Sequence, residues 1–280
     1  MECVIAMKIS KLSLLLALCL PVVSFAQDSD IAQSELKPLP DVRISMQRML
    51  RSTEGRYFLD LYAGIWNPHG TLTDLQEPKQ INFKGTQKAD FIDLNSVNGG
   101  TEQSAAAAYR LAGTLNANTG YFKAELTEQT APPSTSYLQF EPAFKAADKP
   151  ILLFKFYGVQ SADQPYGKSL KRVDVINKSN DKVLQSLQGF SAFGNSMGFL
   201  DVNFDGYYDV VLSDTSEGRK IEDKRFIYWM YNPKTKNFQR SPQLEKIAGF
   251  PKLKGELQQI DFGSGQIFRV DQGLLYPVSE

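Results

Sequence analysis

The chain has one histidine, His69, and two cysteines, Cys3 and Cys19, both close to the N-terminus. That scarcity excludes zinc centres built on His and Cys clusters, which need several such ligands at fixed spacing. An excess of one charge is missing as well, since 31 Lys and Arg balance 31 Asp and Glu for a formal net charge of +0. A neutral chain has no electrostatic footprint for a polyanion, so nucleic acid is not an expected partner, and an anionic membrane surface would not attract it. Beyond the N-terminal segment no apolar run approaches the ~20 residues that span a bilayer, so no membrane anchor is expected. Glycine runs of the P-loop or dinucleotide-binding kind are absent too.

What is present begins with a targeting pattern. Lys8 and Lys11 precede the apolar run 12–20, and Ser24-Phe25-Ala26 closes it with a small-residue signature. Residues 1–26 therefore read as a secretory signal peptide cut after Ala26, with Met7 as an alternative start, and the expected location is the periplasm. Leu18 before Cys19 is not the small residue that lipidation requires. Both cysteines leave with the signal, so the mature chain has neither disulfide nor thiol chemistry.

Residues 27–40 are polar with two prolines and read as a flexible N-terminal segment. An N-terminal β region follows over 41–140. In it Tyr57-Phe58-Leu59-Asp60-Leu61-Tyr62-Ala63 reads as a strand, Asn67-Pro68-His69-Gly70 as a turn, and 116–120 as a hairpin connection before YFKAELTE. The alanine run at 105–108 reads as a strand entry in preference to a helix. A boundary is expected between Ala131 and Pro150. The C-terminal β region, 150–280, alternates short strand-like pieces with turns such as 177–181 and 232–237, and 244–250 is long enough for one helical turn. The fold class is all-β: a small propeller-like or sandwich arrangement of short antiparallel strands with a calcium-bearing turn.

That turn is DVNFDGYYD, 201–209. Side-chain oxygens fall at its first, third and fifth positions (Asp201, Asn203, Asp205), Gly206 permits the bend, the Tyr207 carbonyl faces in, and Asp209 is ninth. This is the ligand order of an EF-hand-type Ca2+ loop. Leu212 occupies the twelfth position, where the helical version has a bidentate glutamate, and both flanks are strand-like. No lysine or arginine lies between Asp201 and Asp209, so a cation is expected to relieve the carboxylate repulsion. Plain turn chemistry also favours Asp, Asn and Gly.

Catalytic signatures are thin. Gly194-Asn195-Ser196-Met197-Gly198 matches GxSxG, but a nucleophile elbow needs a following helix and a late histidine, and neither is in the sequence. The carboxylates Asp60, Glu125 and Glu141 are more simply turn or solvent-face residues. The chain is not expected to be an enzyme. In RFIYWMY, period two puts Ile227, Trp229 and Tyr231 on one face and Phe226, Tyr228 and Met230 on the other. Either the strand is covered on both sides, or aromatics such as Trp229 anchor a partner. The glycine-rich stretch 189–199 is a second candidate surface.

DVNFDGYYDVVL, then FIYWMYNPKTKNF, then LEKI resembles a family of secreted, calcium-binding, β-rich proteins. Its members include periplasmic immunity proteins of bacteria that attack rivals through a type IV secretion system, with structures related to type I (i-type) lysozyme inhibitors. The resemblance implies Ca2+ at Asp201, Asn203, Asp205, Tyr207 and Asp209, and a peptidoglycan hydrolase effector as partner. Lysozyme inhibitors of the related type insert a short SGxxY-like loop into the enzyme. The nearest string here is Ser264-Gly265-Gln266-Ile267-Phe268, with Phe268 for the tyrosine. The implied function is a periplasmic immunity protein that inhibits a lysozyme-like effector. The alternative is a calcium-stabilised envelope module without inhibitor activity.

Overall fold

Alternation of apolar and polar residues governs the first half of the chain and curls it into a barrel. The computed structural model describes residues 36–64, 66–97, 108–162, 164–216 and 218–278. The signal peptide with its cut after Ala26, most of the 27–40 segment and the alanines at 105–107 lie outside the described residues. Within 27–40, Lys37 and Pro38 form a short strand β1 (Lys37–Pro38), and Leu39 is buried.

Eight antiparallel strands follow: β2 (Arg43–Ser52), β3 (Tyr57–Ala63), β4 (His69–Asp74), β5 (Lys79–Lys88), β6 (Phe91–Ser96), β7 (Tyr109–Leu115), β8 (Phe122–Glu128) and β9 (Ser134–Pro142). Each pairs with the next, and β9 returns to pair with β2 from Leu50 to Ser52, which closes the barrel. In the first part of β6 and of β8 every second residue points in, so Ile92, Leu94, Phe122 and Ala124 are buried between more exposed neighbours such as Phe91, Asp93 and Lys123. With Leu59, Leu61, Leu72 and Phe83 they fill the interior. A barrel of eight strands is just wide enough for side chains to fill it.

The second half builds three smaller layers. β10 (Leu152–Gln160), β11 (Lys168–Asn177), β12 (Lys182–Leu187) and β13 (Ala192–Phe193) form one sheet with β1. β14 (Ser196–Leu200), β15 (Asp209–Ser213), β16 (Phe226–Asn232) and β17 (Asn237–Arg240) extend the barrel's own sheet, because β14 pairs parallel to β2 over Arg43 to Met46. β18 (Lys252–Lys254), β19 (Gln259–Asp261), β20 (Ile267–Asp271) and β21 (Leu274–Pro277) form a separate meander. The regions 41–140 and 150–280 thus share one twelve-stranded sheet.

The all-β class expected from the sequence is the class observed. Its first half is a closed barrel. Sandwich-like packing describes the second half, where the β14–β17 layer is covered on both sides. Met197, Val210, Leu212, Ile227 and Tyr231 pack toward the β10–β13 sheet. Leu200, Val211, Phe226 and Tyr228 pack on the opposite face with Met49, Phe58 and the C-terminal meander. One local expectation changes: in Asn67-Pro68-His69-Gly70, His69 and Gly70 already belong to β4. The helical turn expected within 244–250 is present as a 3-10 turn, Leu244–Lys246.

A buried polar joint fastens the meander to the barrel. Gln47 donates from Nε2 to Asp60 Oδ1 at 3.0 Å and to the Leu253 carbonyl at 3.3 Å, and it accepts the Tyr62 hydroxyl at 3.0 Å. Burial, then repulsion from Glu256, raises the Asp60 carboxyl to about 7, against the Gln47 hydrogen bond that lowers it. A carboxyl that protonates more readily in the folded chain contributes stability that is complete below its unfolded value, about pH 4, and lost as pH climbs through 7. The amount is on the order of 4 kcal/mol at most. Asp60→Asn keeps an acceptor for Gln47 and has no charge to bury. Urea titrations from pH 4.5 to 8 are expected to show the variant gaining stability over the wild type as pH rises; parallel curves would contradict the joint.

Candidate functional site

The loop 201–209 leaves β14 and enters β15, and its side chains are spent first on its own backbone. Asp201, buried, accepts the Asp205 N–H at 3.0 Å on Oδ1 and the Gly206 N–H at 2.9 Å on Oδ2. Asp205 Oδ1 accepts the Tyr207 N–H at 2.9 Å, and Asn203 Nδ2 donates to Asp205 Oδ2 at 2.8 Å. Gly206 has φ +87°, and a side chain there would meet the Ala146 nitrogen at 2.9 Å. The loop is therefore pressed onto the link between β9 and β10, where Phe204 packs on Phe144 with ring centroids 5.3 Å apart.

Asp201, Asn203 and Asp205 are brought together. Asp209 is already engaged by backbone: the residue is 0 % exposed, with Oδ2 accepting the Val202 N–H at 2.9 Å and Oδ1 the Tyr231 N–H at 2.8 Å, and it still feels the charges of Asp201 and Asp205. Its carboxylate ties the loop to β16. Burial holds the Asp209 carboxyl well above the usual carboxylate range, offset in part by the two N–H donors. Asp201 is raised to about 7, by burial and then by repulsion from Asp205, while the Gly206 N–H and Lys149 pull it down. Among the described residues no three His, Cys, Asp or Glu side chains converge as a metal-binding group.

Charge relief comes from a residue remote in sequence. Lys149 sits over the Tyr208 ring, with Nζ 3.5 Å from its centroid, and its ammonium is pushed down to about 8 by burial. Asp201 and Asp205 hold it up, whereas Arg48 pushes it further down. Both Lys149 and Arg48 escaped the sequence reading. Arg48 left a faint signal, because Ile44, Met46, Arg48 and Leu50 alternate along one face of β2 and a charge interrupts an apolar row.

The other predicted residues lie apart from this loop. Ser264 and Gly265 form the exposed tip of the β19–β20 hairpin, at φ 54° and 75°, closed by the Gln266 N–H on the Gly263 carbonyl at 3.0 Å. Phe268 is behind the tip, edge-on to Phe262 at 5.8 Å, where it anchors the hairpin to the core. Trp229 is half-buried in the layer facing the β10–β13 sheet, with Nε1 buried and lacking an acceptor. Of the carboxylates considered for catalysis, Asp60 is in the Gln47 joint and Glu141 pairs with Lys145 at 2.8 Å. Ser196 of the GxSxG string opens strand β14, and His69 stacks on Tyr62 at 4.6 Å in the barrel wall.

No protein-family model, curated protein or solved structure matches this chain. The site is therefore read from its own geometry.

That geometry separates two kinds of loop acid. Asp209→Ala strands two buried N–H donors, at about 1–3 kcal/mol each. It is expected to lower stability by about 2–5 kcal/mol in chelator, whereas Asp205→Ala, an exposed turn residue, costs under about 1 kcal/mol there. Urea unfolding in excess EDTA measures both. Equal small losses would mean that Asp209 does not hold the loop to β16.

Proposed function

We propose that this protein is a secreted, non-catalytic binding protein that blocks a peptidoglycan-cleaving, lysozyme-like effector in the periplasm. One observation carries the reading: Ser264-Gly265-Gln266 is an exposed, polar, tightly closed hairpin tip on a sheet whose base is packed into the core through Phe262 and Phe268. A short protrusion held rigid before contact is what insertion into an enzyme cleft requires, because ordering it at the moment of binding would weaken affinity. The positive φ angles at Ser264 and Gly265 fix the shape of the tip. The targeting pattern of residues 1–26 supports the compartment.

Calcium belongs to the same reading. Asp201, Asn203, Asp205 and the Tyr207 carbonyl would hold the ion, with water completing the six to eight oxygens it takes. Each loop carboxylate oxygen that accepts an N–H retains a second lone pair for a cation. Asp209 then serves from behind, as a backbone acceptor. The ion would neutralise the repulsion between Asp201 and Asp205 and stabilise the fold by linkage.

The protein is expected to slow digestion of purified peptidoglycan by lysozyme-like muramidases, an i-type lysozyme among them, at near-equimolar ratio. Ser264→Arg should weaken that inhibition at least tenfold without moving the melting temperature, and calcium should raise the melting temperature of the wild type but not of Asp205→Ala. Failure to slow any of these enzymes would leave the calcium-stabilised envelope module as the reading. Absence of calcium uptake in calorimetry would remove the metal.

A further inference from the structure

Between β2, the turn 116–121 and β10 lies a cleft of ≈ 1100 Å³, slightly above the volumes typical of small-molecule sites. Its floor is a row of aromatic rings. Phe154 meets Phe199 edge-on at 5.0 Å, and Phe199 meets Tyr208 at 5.1 Å. Ile44 and Met46 on the even-numbered face of β2 line it too. The row ends at two cations. Lys149 covers the Tyr208 ring, and Arg48 is 6 % exposed on the strand beside it.

Arg48 is only partly satisfied. Its Nη2 donates to the Ala117 carbonyl at 2.9 Å and its guanidinium also hydrogen-bonds the Tyr208 hydroxyl, but its buried Nε has no acceptor. Among the described residues no carboxylate forms an ion pair with Arg48 or Lys149, although Lys149 feels Asp201 and Asp205 across the loop. The charged lining is one-sided: Arg48, Lys145, Lys149, Lys155 and Lys178 against Asp181. Lys145 is occupied by Glu141, and Lys178 by Asn118 Oδ1. A buried guanidinium with an idle donor beside a second, half-buried cation is costly unless an anion completes it. Arginine's planar fork suits a carboxylate or a phosphate.

We infer that this cleft binds an amphipathic anion, with a carboxylate or phosphate head on Arg48 and Lys149 and an acyl chain along Phe199, Phe154 and the Ile44–Met46 face of β2. The inference is independent of the inhibitor reading, since the hairpin tip at 263–266 takes no part in it. Head and chain each have a distinct contact, so both are needed for tight binding.

Calorimetric titration of the protein with decanoate, decyl phosphate, decanol, acetate and inorganic phosphate tests this. Saturable one-to-one binding of decanoate or decyl phosphate is expected, at least tenfold tighter than decanol, acetate or inorganic phosphate. The stronger of the two long-chain anions identifies the head group. Arg48→Met should weaken the anion tenfold or more and leave decanol unchanged. Lys149→Gln should act in the same direction and serves as the second variant if Arg48→Met does not fold. Phe199→Ala should weaken the long-chain anions and leave inorganic phosphate unchanged. Equal affinity for decanol and decanoate would overturn the inference, as would no binding of either long-chain anion. Binding of acetate or inorganic phosphate as tight as that of the long-chain anions would overturn it as well. The comparison among ligands on the wild type decides the matter even if every variant misfolds.

Discussion

Strand β2 is shared between two structures, and most of the molecule depends on that sharing. Its C-terminal half closes the barrel, with Leu50 paired to Leu59 on one side and Pro142 on the other. Its N-terminal half holds β14 in parallel, with Ser45 opposite Gly198. A strand used on both edges along its length cannot slip by one residue without turning Leu50 out of the barrel and Met49 out of the outer core. The register of the first half of the chain is thereby transmitted to the second.

From that point the layers follow. Once β14 is fixed, the buried Asp209 carboxylate sets the loop 201–209 against β16 through Val202 and Tyr231. Phe204 and Gly206 press the same loop onto the β9–β10 link. Lys149, on that link, covers the Tyr208 ring and feels the charges of the loop acids. The cleft beside it exists because β9 and β14 leave β2 at different points, and the face between them carries Ile44, Met46 and Arg48. On the outer side Gln47 and Asp60 join the meander, so even and odd residues of one strand serve different partners.

How far the sequence could be read depended on how local each cause was. FIDL at 91–94 and YFKAELTE both fall on strands, and Ile92, Leu94, Phe122 and Ala124 point inward, while Phe91 and Tyr121 are exposed. Asn232 in the 232–237 turn accepts the Lys234 N–H at 3.0 Å, a local hydrogen bond that turn chemistry anticipates. The two-faced reading of 226–231 matches the core, with Tyr228 and Tyr231 on opposite sides. Strand β2 itself was not legible, because RISMQRMLRS places Gln47 and Arg48 in an apolar strand and blurs its period. Closure of β9 onto β2 is a pairing between distant segments, and nothing in either segment announces it. The same distance hid Lys149. Judged by its nine residues the loop 201–209 is an uncompensated acidic turn, while in the fold it has a lysine beside it and one of its acids bonded elsewhere.

The claim that β2 makes one cooperative body of barrel and outer layers is tested most directly by native-state hydrogen exchange. Amides of the barrel core, such as Leu59 and Ile92, and of the outer layer, such as Val211 and Tyr228, are expected to exchange with the same opening free energy, equal to that of global unfolding. If the amides of β15 and β16 instead opened more than about 2 kcal/mol below those of the barrel, the two halves would unfold as separate units, and β2 would not be the joint described.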